Sequence, residues 1–416
     1  MPPRRVTVLS YGMGVESTAI LVRWINEPST RPCALDQLIV VTAMTGDEYE
    51  DTRTLVETYV FPLLRQHGIQ YVQLARAGHL EQDGIIILDD TRTPQKLHLE
   101  GAYKLSDELR LNGTVPQVAG VHRCALKFKA FVIEKWLDAQ VRPAFFRHAL
   151  GYNSDEGNRV EHSEYATTRR EAEKERIAFG FNTEEQNRIA RSCEYNTVTR
   201  EAFYPLVEWS WTREKCLAYL YEAFGVIWEK SACTYCPFNR LKQDGVERQK
   251  RHAEQVADAL LLEYTSLALN PRGALYKDRA LIDIAIREDY TDTLRIFSSK
   301  LNASRWALYR IRRIVNASKT GEKGTVDRCV ERMQDFETRE GAFAALMANK
   351  EKGEFEELRG ISYIWIQRRP QDVFPAREEL LAIAPATVQT KARYGVPWFD
   401  ARWNQQTLFS TVADGS

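Results

Sequence analysis

One stretch constrains this chain more than any other: Val6 to Leu21, VTVLSYGMGVESTAIL. Val6, Val8 and Leu9 predict a short buried strand, and Ser17-Thr18-Ala19-Ile20-Leu21-Val22 predicts a helix. Between them stand Ser10, Tyr11, Gly12, Gly14 and Glu16. A strand that breaks at glycines and restarts as a helix makes an anion cradle. Glycine lets backbone N–H groups come close, and the helix N-terminus adds partial positive charge. The hydroxyls of Ser10, Ser17 and Thr18 can donate to the same oxygens. Two familiar phosphate loops are excluded. The Walker signature needs Lys before the Ser or Thr, where Glu16 stands; the dinucleotide signature needs a third glycine, where Ser17 stands. A plain glycine turn before an ordinary helix is the alternative.

The chain has 416 residues, beyond the roughly 250–300 at which a single core stops growing, so two domains are expected. Lys+Arg and Asp+Glu number 57 each, so net charge draws the chain toward neither nucleic acid nor membrane. No apolar run reaches the ~20 residues that span a bilayer. Met-Pro-Pro-Arg-Arg leads straight into the first strand, which reads as no signal peptide. The seven cysteines are scattered except for Cys233 and Cys236, a pattern that suits a reducing, cytoplasmic setting with a metal or redox site.

In chain order, residues 36–43 (DQLIVVTA) read as a near-continuous buried strand, 51–67 as a helix, and Gln70-Tyr-Val-Gln-Leu as a third strand. This β-α-β-α-β order predicts an α/β fold with a doubly wound, mostly parallel sheet. Residues 76–120 read as a loop-rich insertion containing a strand-like Gly84-Ile-Ile-Ile-Leu. Phe146-Arg-His-Ala-Leu reads as a further strand, and residues 160–200 as an exposed, charge-paired helical segment. Thr212 is a predicted N-cap for a helix to Phe224.

The pattern Ser10-x-Gly12-x-Gly14-x-Glu16-Ser17-Thr18 resembles the pyrophosphatase loop of the adenine nucleotide α-hydrolase superfamily. Within it, the chain is similar to the PAPS-reductase-like (CysH-like) branch over roughly residues 5–240. The resemblance implies a Rossmann-like nucleotide-binding domain, 1–240. At the end of the second strand the family carries Asp-Thr-Gly-x-Glu beside the adenine and ribose; Thr45, Gly46 and Glu48 match, while Met44 replaces the Asp. Arg123, Cys124 and Lys127 match a Cys-Leu-Lys helix start whose basic residues meet the phosphates. Gly151, Glu156 and Arg159 match the family's Gly-x-Arg-x-x-Glu-Ser-x-x-Arg stretch, but its first Arg is Asn153 here. That loss favours ATP over a nucleotide carrying a 3′-phosphate. Tyr204-Pro205-Leu206 and Cys233-x-x-Cys236-Pro237-Phe238 complete the likeness.

Two thiolates three residues apart chelate one metal, but a tetrahedral site needs four ligands. Cys124 and Cys193 are the candidates that would complete Cys233 and Cys236, with Cys216 a further one. An iron–sulfur cluster, zinc, and an empty reduced pair or reversible disulfide remain open.

From Asn239 onward the apolar spacing reads as helical: Val246–Tyr264, Ala280–Ile286, Tyr290–Ile314 and Thr325–Met347. A C-terminal all-α domain, 241–416, is therefore expected. Within it, Arg305, Arg310, Arg312 and Arg313 interleave with Trp306 and Tyr309. Such a segment can stack bases and pair with phosphates. It can equally be the buried stripe of an amphipathic helix with its arginines outside, which is the favoured reading.

The resemblance implies an enzyme that cleaves Mg2+-bound ATP between its α- and β-phosphates, giving AMP and pyrophosphate. Ser10, Gly12, Gly14, Ser17 and Thr18 would hold the pyrophosphate, and Arg123, Lys127 and Arg159 would spread the developing charge. A PAPS or APS reductase is the runner-up; no cysteine follows Cys329, so the tail that carries that family's nucleophile is not found. A third reading is a nucleotide-sensing module that recruits nucleic acid or protein through the helical half. Membership of a DNA phosphorothioation, tRNA thiolation or type IV-B CRISPR-associated system would suit the large addition. A homodimer is compatible with all three.

Overall fold

The computed structural model describes residues 6–116, 123–141, 146–150, 200–239, 243–277, 279–319, 321–370 and 373–413. These fall into two compact units, one of Met1–Ser106 with Val118–Cys236, the other of Asp107–Gln117 with Pro237–Ser416. Among the described residues no helix is long and apolar enough to cross a membrane.

The first unit is built on six strands: β1 (Val6–Ser10), β2 (Leu38–Ala43), β3 (Gln70–Arg76), β4 (Ile85–Thr91), β5 (Phe146–Ala149) and β6 (Arg200–Phe203). Their order is β4-β3-β2-β1-β5-β6. All neighbours run parallel except β3 and β4. The strand-like run after Gly84 is thus an antiparallel edge strand of this sheet. Successive side chains on a strand point to opposite faces. Leu9, Val40 and Tyr71 accordingly pack with helices Val15–Asn26 and Arg213–Phe224. Val8, Val41 and Val72 pack with helix Phe131–Gln140 through Val132, Trp136 and Leu137. Both faces are covered, which is why β2 is apolar along nearly its whole length. The sequence of strands turns back between β1 and β5, and open α/β sheets bind ligands beyond the carboxyl ends of their strands at such a place.

The second unit overturns the all-α expectation. It holds β7 (Trp306–Ala317), β8 (Lys323–Phe336), β9 (Glu354–Leu358), β10 (Ile361–Gln367), β11 (Ala376–Pro385) and β12 (Lys391–Ala392). They form an antiparallel sheet in the order β12-β8-β7-β11-β10-β9. The run Tyr290–Ile314 divides into a helix, Thr291–Asn302, and β7; the run Thr325–Met347 divides into β8 and a helix, Arg339–Met347. The physical reason lies in β7. It is interior to the sheet and almost every residue from Trp306 to Val315 is buried. A strand buried on both faces is apolar at every spacing, the helical one included.

Trp306, Tyr309, Ile311 and Ile314 are buried, as the favoured reading expected, but on a strand. The arginines between them hold carboxylates. Arg305 pairs with Glu337 at 2.7 Å, Arg310 with Glu379 at 2.6 Å, Arg312 with Asp400 at 2.5 Å, and Arg313 with Glu378. Arg312 and Arg313 are themselves buried, so they are not outside the core.

Candidate functional site

β1 ends at Ser10 and the first helix begins at Val15, leaving a turn of four residues at the carboxyl edge of the sheet. Its carbonyls are taken up from beneath. Thr42 Oγ1 donates to the Tyr11 carbonyl at 3.0 Å, and Tyr71 OH donates to Thr42 Oγ1 at 2.9 Å. The Trp228 indole donates to the Met13 carbonyl at 3.1 Å. Thr18 donates to the Gly14 carbonyl through Oγ1 at 2.7 Å and through its amide at 3.1 Å. In a planar trans peptide the C=O and the next N–H point in opposite directions. The Gly12 N–H therefore points away from Thr42, the Gly14 N–H away from Trp228, and the Val15 N–H back out of the helix. Gly14 is the N-cap and supplies no side-chain hydrogen bond, so first-turn amides are left for another acceptor. Gly12 is exposed, and a Cβ added there meets nothing within 4 Å.

Met13 takes φ +60°, a conformation that costs a non-glycine residue about 1 kcal/mol or more. The buried Met13 side chain and the Trp228 bond hold it there.

The predicted phosphate donors divide. Gly12 and Gly14 lie on the turn as expected. Tyr11 and Thr18 lie beneath it: both are buried, and Tyr11 OH and Thr18 Oγ1 are 3.2 Å apart. Burial pushes the Tyr11 phenol well above its usual range, so it stays protonated. Ser17 Oγ makes only a long 3.4 Å contact to the Gly14 carbonyl. Ser10 Oγ lies 2.8 Å from His148 Nε2, and Glu16 is ion-paired with Arg213.

The turn after β2 is built the other way. Glu48 is 2 % exposed, and its carboxylate curls back on its own loop. Oε1 accepts from the Thr45 amide at 3.0 Å and the Thr45 hydroxyl at 2.8 Å; Oε2 accepts from the Gly46 amide at 3.1 Å and the Asp47 amide at 3.2 Å. Gly46 has φ +84°, and a Cβ there would lie 2.7 Å from Lys104 Cγ. Thr45, Gly46 and Glu48 are thus tied to one another. Asp47 is also inward, accepting the Ser106 amide at 2.8 Å, and burial raises its carboxyl pKa.

Ser231–Cys236 runs beside both turns. Cys233 bridges Glu48 in antiparallel fashion, and Thr234 donates its amide to the Asp47 carbonyl at 3.2 Å. Ser231 Cβ lies 3.8 Å from the place a Gly14 Cβ would take. Cys124 lies in the short helix Arg123–Ala125, which continues as a π-helical turn, Leu126–Ala130, carrying Lys127. Arg123 is exposed and Lys127 is half-buried.

The thiols of Cys233, Cys236 and Cys124 are near enough to act on one another. The Cys236 contact and then burial push Cys233 well up; burial and then the Cys236 charge raise Cys124. Cys216 is fully buried in helix Arg213–Phe224, its thiol pushed up to about 12 by burial, and belongs to the core. Among the described residues no group of three or more His, Cys, Asp or Glu side chains converges to hold a metal. Cys193, Gly151, Glu156 and Arg159 lie outside the described residues.

Thr42, His148, Arg213 and Trp228 are the residues that sequence reasoning did not single out. Thr42 and His148 carried a faint signal, as polar residues inside strands that otherwise read as buried. Compared with protein-family models, curated proteins and solved structures, the chain finds no match.

Proposed function

We propose that the first unit binds an adenine nucleotide at the carboxyl edge of a Rossmann-like sheet, with the phosphates on the Tyr11–Ser17 turn. One observation carries this reading. The carbonyls of Tyr11, Met13 and Gly14 are all bound from the inner side, so the intervening amides face outward beside a helix N-terminus. Such amides want an anion, and a polyphosphate supplies several oxygens at once.

On this reading the reaction is ATP cleavage by a PAPS-reductase-like pyrophosphatase. An acceptor oxygen, water in the simplest case, attacks the α-phosphorus, and the α–β bridging P–O bond breaks. Pyrophosphate departs with the bridging oxygen, and AMP remains. The outward amides of Gly12, Gly14 and Val15 bind charge that builds on the leaving group, while Arg123 and Lys127 add positive charge from the neighbouring helix start. Mg2+ would arrive with ATP as part of the substrate.

A second reading, binding without turnover, is favoured by the carboxylates. Glu16 is held by Arg213 and Glu48 by its own loop, so neither is placed to act as a general base. Incubation with α-labelled ATP and Mg2+ separates the two. AMP formation is the expected result. Tight ATP binding with no AMP moves the assignment to the sensing module. Sulfite release from PAPS in the presence of a dithiol donor moves it to a reductase.

A further inference from the structure

Ser10 is the last residue of β1 and the first of the turn's hydroxyls. Its Oγ lies 2.8 Å from Nε2 of His148, on the neighbouring strand β5. His148 is 1 % exposed and sits in register with Val8, so its ring lies on the same face as Ser10, one pleat behind it. The two strands are those between which the strand order turns back. The ring is also packed against Phe146, with centroids 6.3 Å apart.

The two ends of this bond cannot both donate. If Nε2 carries the ring proton, it donates to Ser10 Oγ, and the serine O–H is free to donate elsewhere. If Nε2 is bare, the serine O–H is spent on the ring, and only oxygen lone pairs remain for the turn. Lone pairs facing a phosphate repel it. An anion on the turn therefore selects the form with hydrogen on Nε2, and the donation makes the serine O–H a better donor.

We propose that His148 is a positioning residue that turns the Ser10 hydroxyl outward as a hydrogen-bond donor to a nucleotide phosphate oxygen. This rests on the nucleotide reading above and names a group which that reading lacks. Ser10 binds the phosphate; His148 acts only through Ser10.

The test measures ATP and adenosine affinities for the wild type, Ser10→Ala, His148→Leu, His148→Gln and the Ser10→Ala/His148→Leu double variant, with thermal unfolding of each. Ser10→Ala and His148→Leu should each weaken ATP about tenfold or more, the scale of one hydrogen bond to a charged group. The double variant should bind ATP no worse than either single one, because His148 is proposed to reach the phosphate only by way of that hydroxyl. His148→Gln, which keeps an N–H near the Nε2 position, should recover most of the loss. Adenosine, lacking phosphates, should bind all variants alike. Additive losses, a Gln variant as weak as Leu, or equal weakening of adenosine would overturn the proposal. Ser10→Ala alters a half-buried surface position, so it reads the hydroxyl even if His148→Leu fails to fold; unchanged ATP affinity in Ser10→Ala also overturns it. A wild type that binds no ATP overturns the nucleotide reading as well, whereas ATP binding indifferent to these variants overturns this inference alone.

Discussion

Two turns leave adjacent parallel strands on the same edge of the same sheet, and they treat their backbone amides in opposite ways. After β2, the amides of Thr45, Gly46 and Asp47 converge on the carboxylate of Glu48, three residues or fewer along the chain. After β1, the side chains bind the carbonyls instead, and the amides of Gly12, Gly14 and Val15 are left facing out. One turn carries its own anion and is complete. The other points its amides away from the side chains that hold its carbonyls, and its N-cap, Gly14, supplies no side-chain acceptor. Glu48, the fifth residue after β2, closes that turn; Glu16 instead turns away to Arg213.

The contrast can be broken in several ways. The largest effect is expected from Glu48→Ala, which strands three amides and a hydroxyl in a buried loop. At about 1–3 kcal/mol for each buried group left unsatisfied, the first unit should lose at least about 3 kcal/mol in urea unfolding. Loss of less than about 1 kcal/mol would mean the β2 turn is not held by its carboxylate.

Gly12→Val should do the reverse. Its Cβ meets no atom of the protein, so stability should stay within about 0.5 kcal/mol, while ATP affinity falls about a hundredfold as the side chain fills the space above the amides. Calorimetry and thermal unfolding on one preparation read both. Unchanged affinity would remove the turn as the phosphate site.

Gly46→Ala adds a methyl group at φ +84° and presses it on Lys104, for an expected cost of about 1–2 kcal/mol in unfolding. Trp228→Phe keeps most of the packing but deprives the Met13 carbonyl of its donor. About 1–2 kcal/mol of stability should go, and ATP should bind more weakly, because the strained Met13 conformation loses its anchor. Ser17→Ala should be the mildest. Its 3.4 Å bond contributes little to the fold, so stability should move by less than about 0.5 kcal/mol.

The first turn was legible because glycines, hydroxyls and a helix start fall within a dozen residues, and the conformations that these residues allow are local properties. The strands around it were legible for a similar reason: a parallel strand covered on both faces has few choices of composition. The predicted N-cap at Thr212 accepts from the Lys215 amide at 3.2 Å, again a local matter. What was misread is non-local. Whether Thr18 points at a phosphate or under the turn depends on Tyr11 and the Gly14 carbonyl, and Glu16 is claimed by a residue nearly two hundred positions away.

The second unit shows the limit most sharply. Trp306, Tyr309, Ile311 and Ile314 can be buried as the stripe of a helix or on the two covered faces of a strand, so their burial could not choose between helix and strand. The choice was made by β11, more than sixty residues on, whose backbone pairs with β7 from Trp306 to Val315. The same pairing brings Glu378 and Glu379 to Arg313 and Arg310, and three arginines sit along a largely buried strand. By itself, then, the sequence determined the glycine turn, the strand-helix alternation of the first half and the burial of the apolar residues Trp306, Tyr309, Ile311 and Ile314, but not that of Arg312 and Arg313. Tertiary structure alone decided which hydroxyls face out, which carboxylates are already engaged and that the second half is a sheet, because each depends on a donor or a backbone ladder supplied from far along the chain.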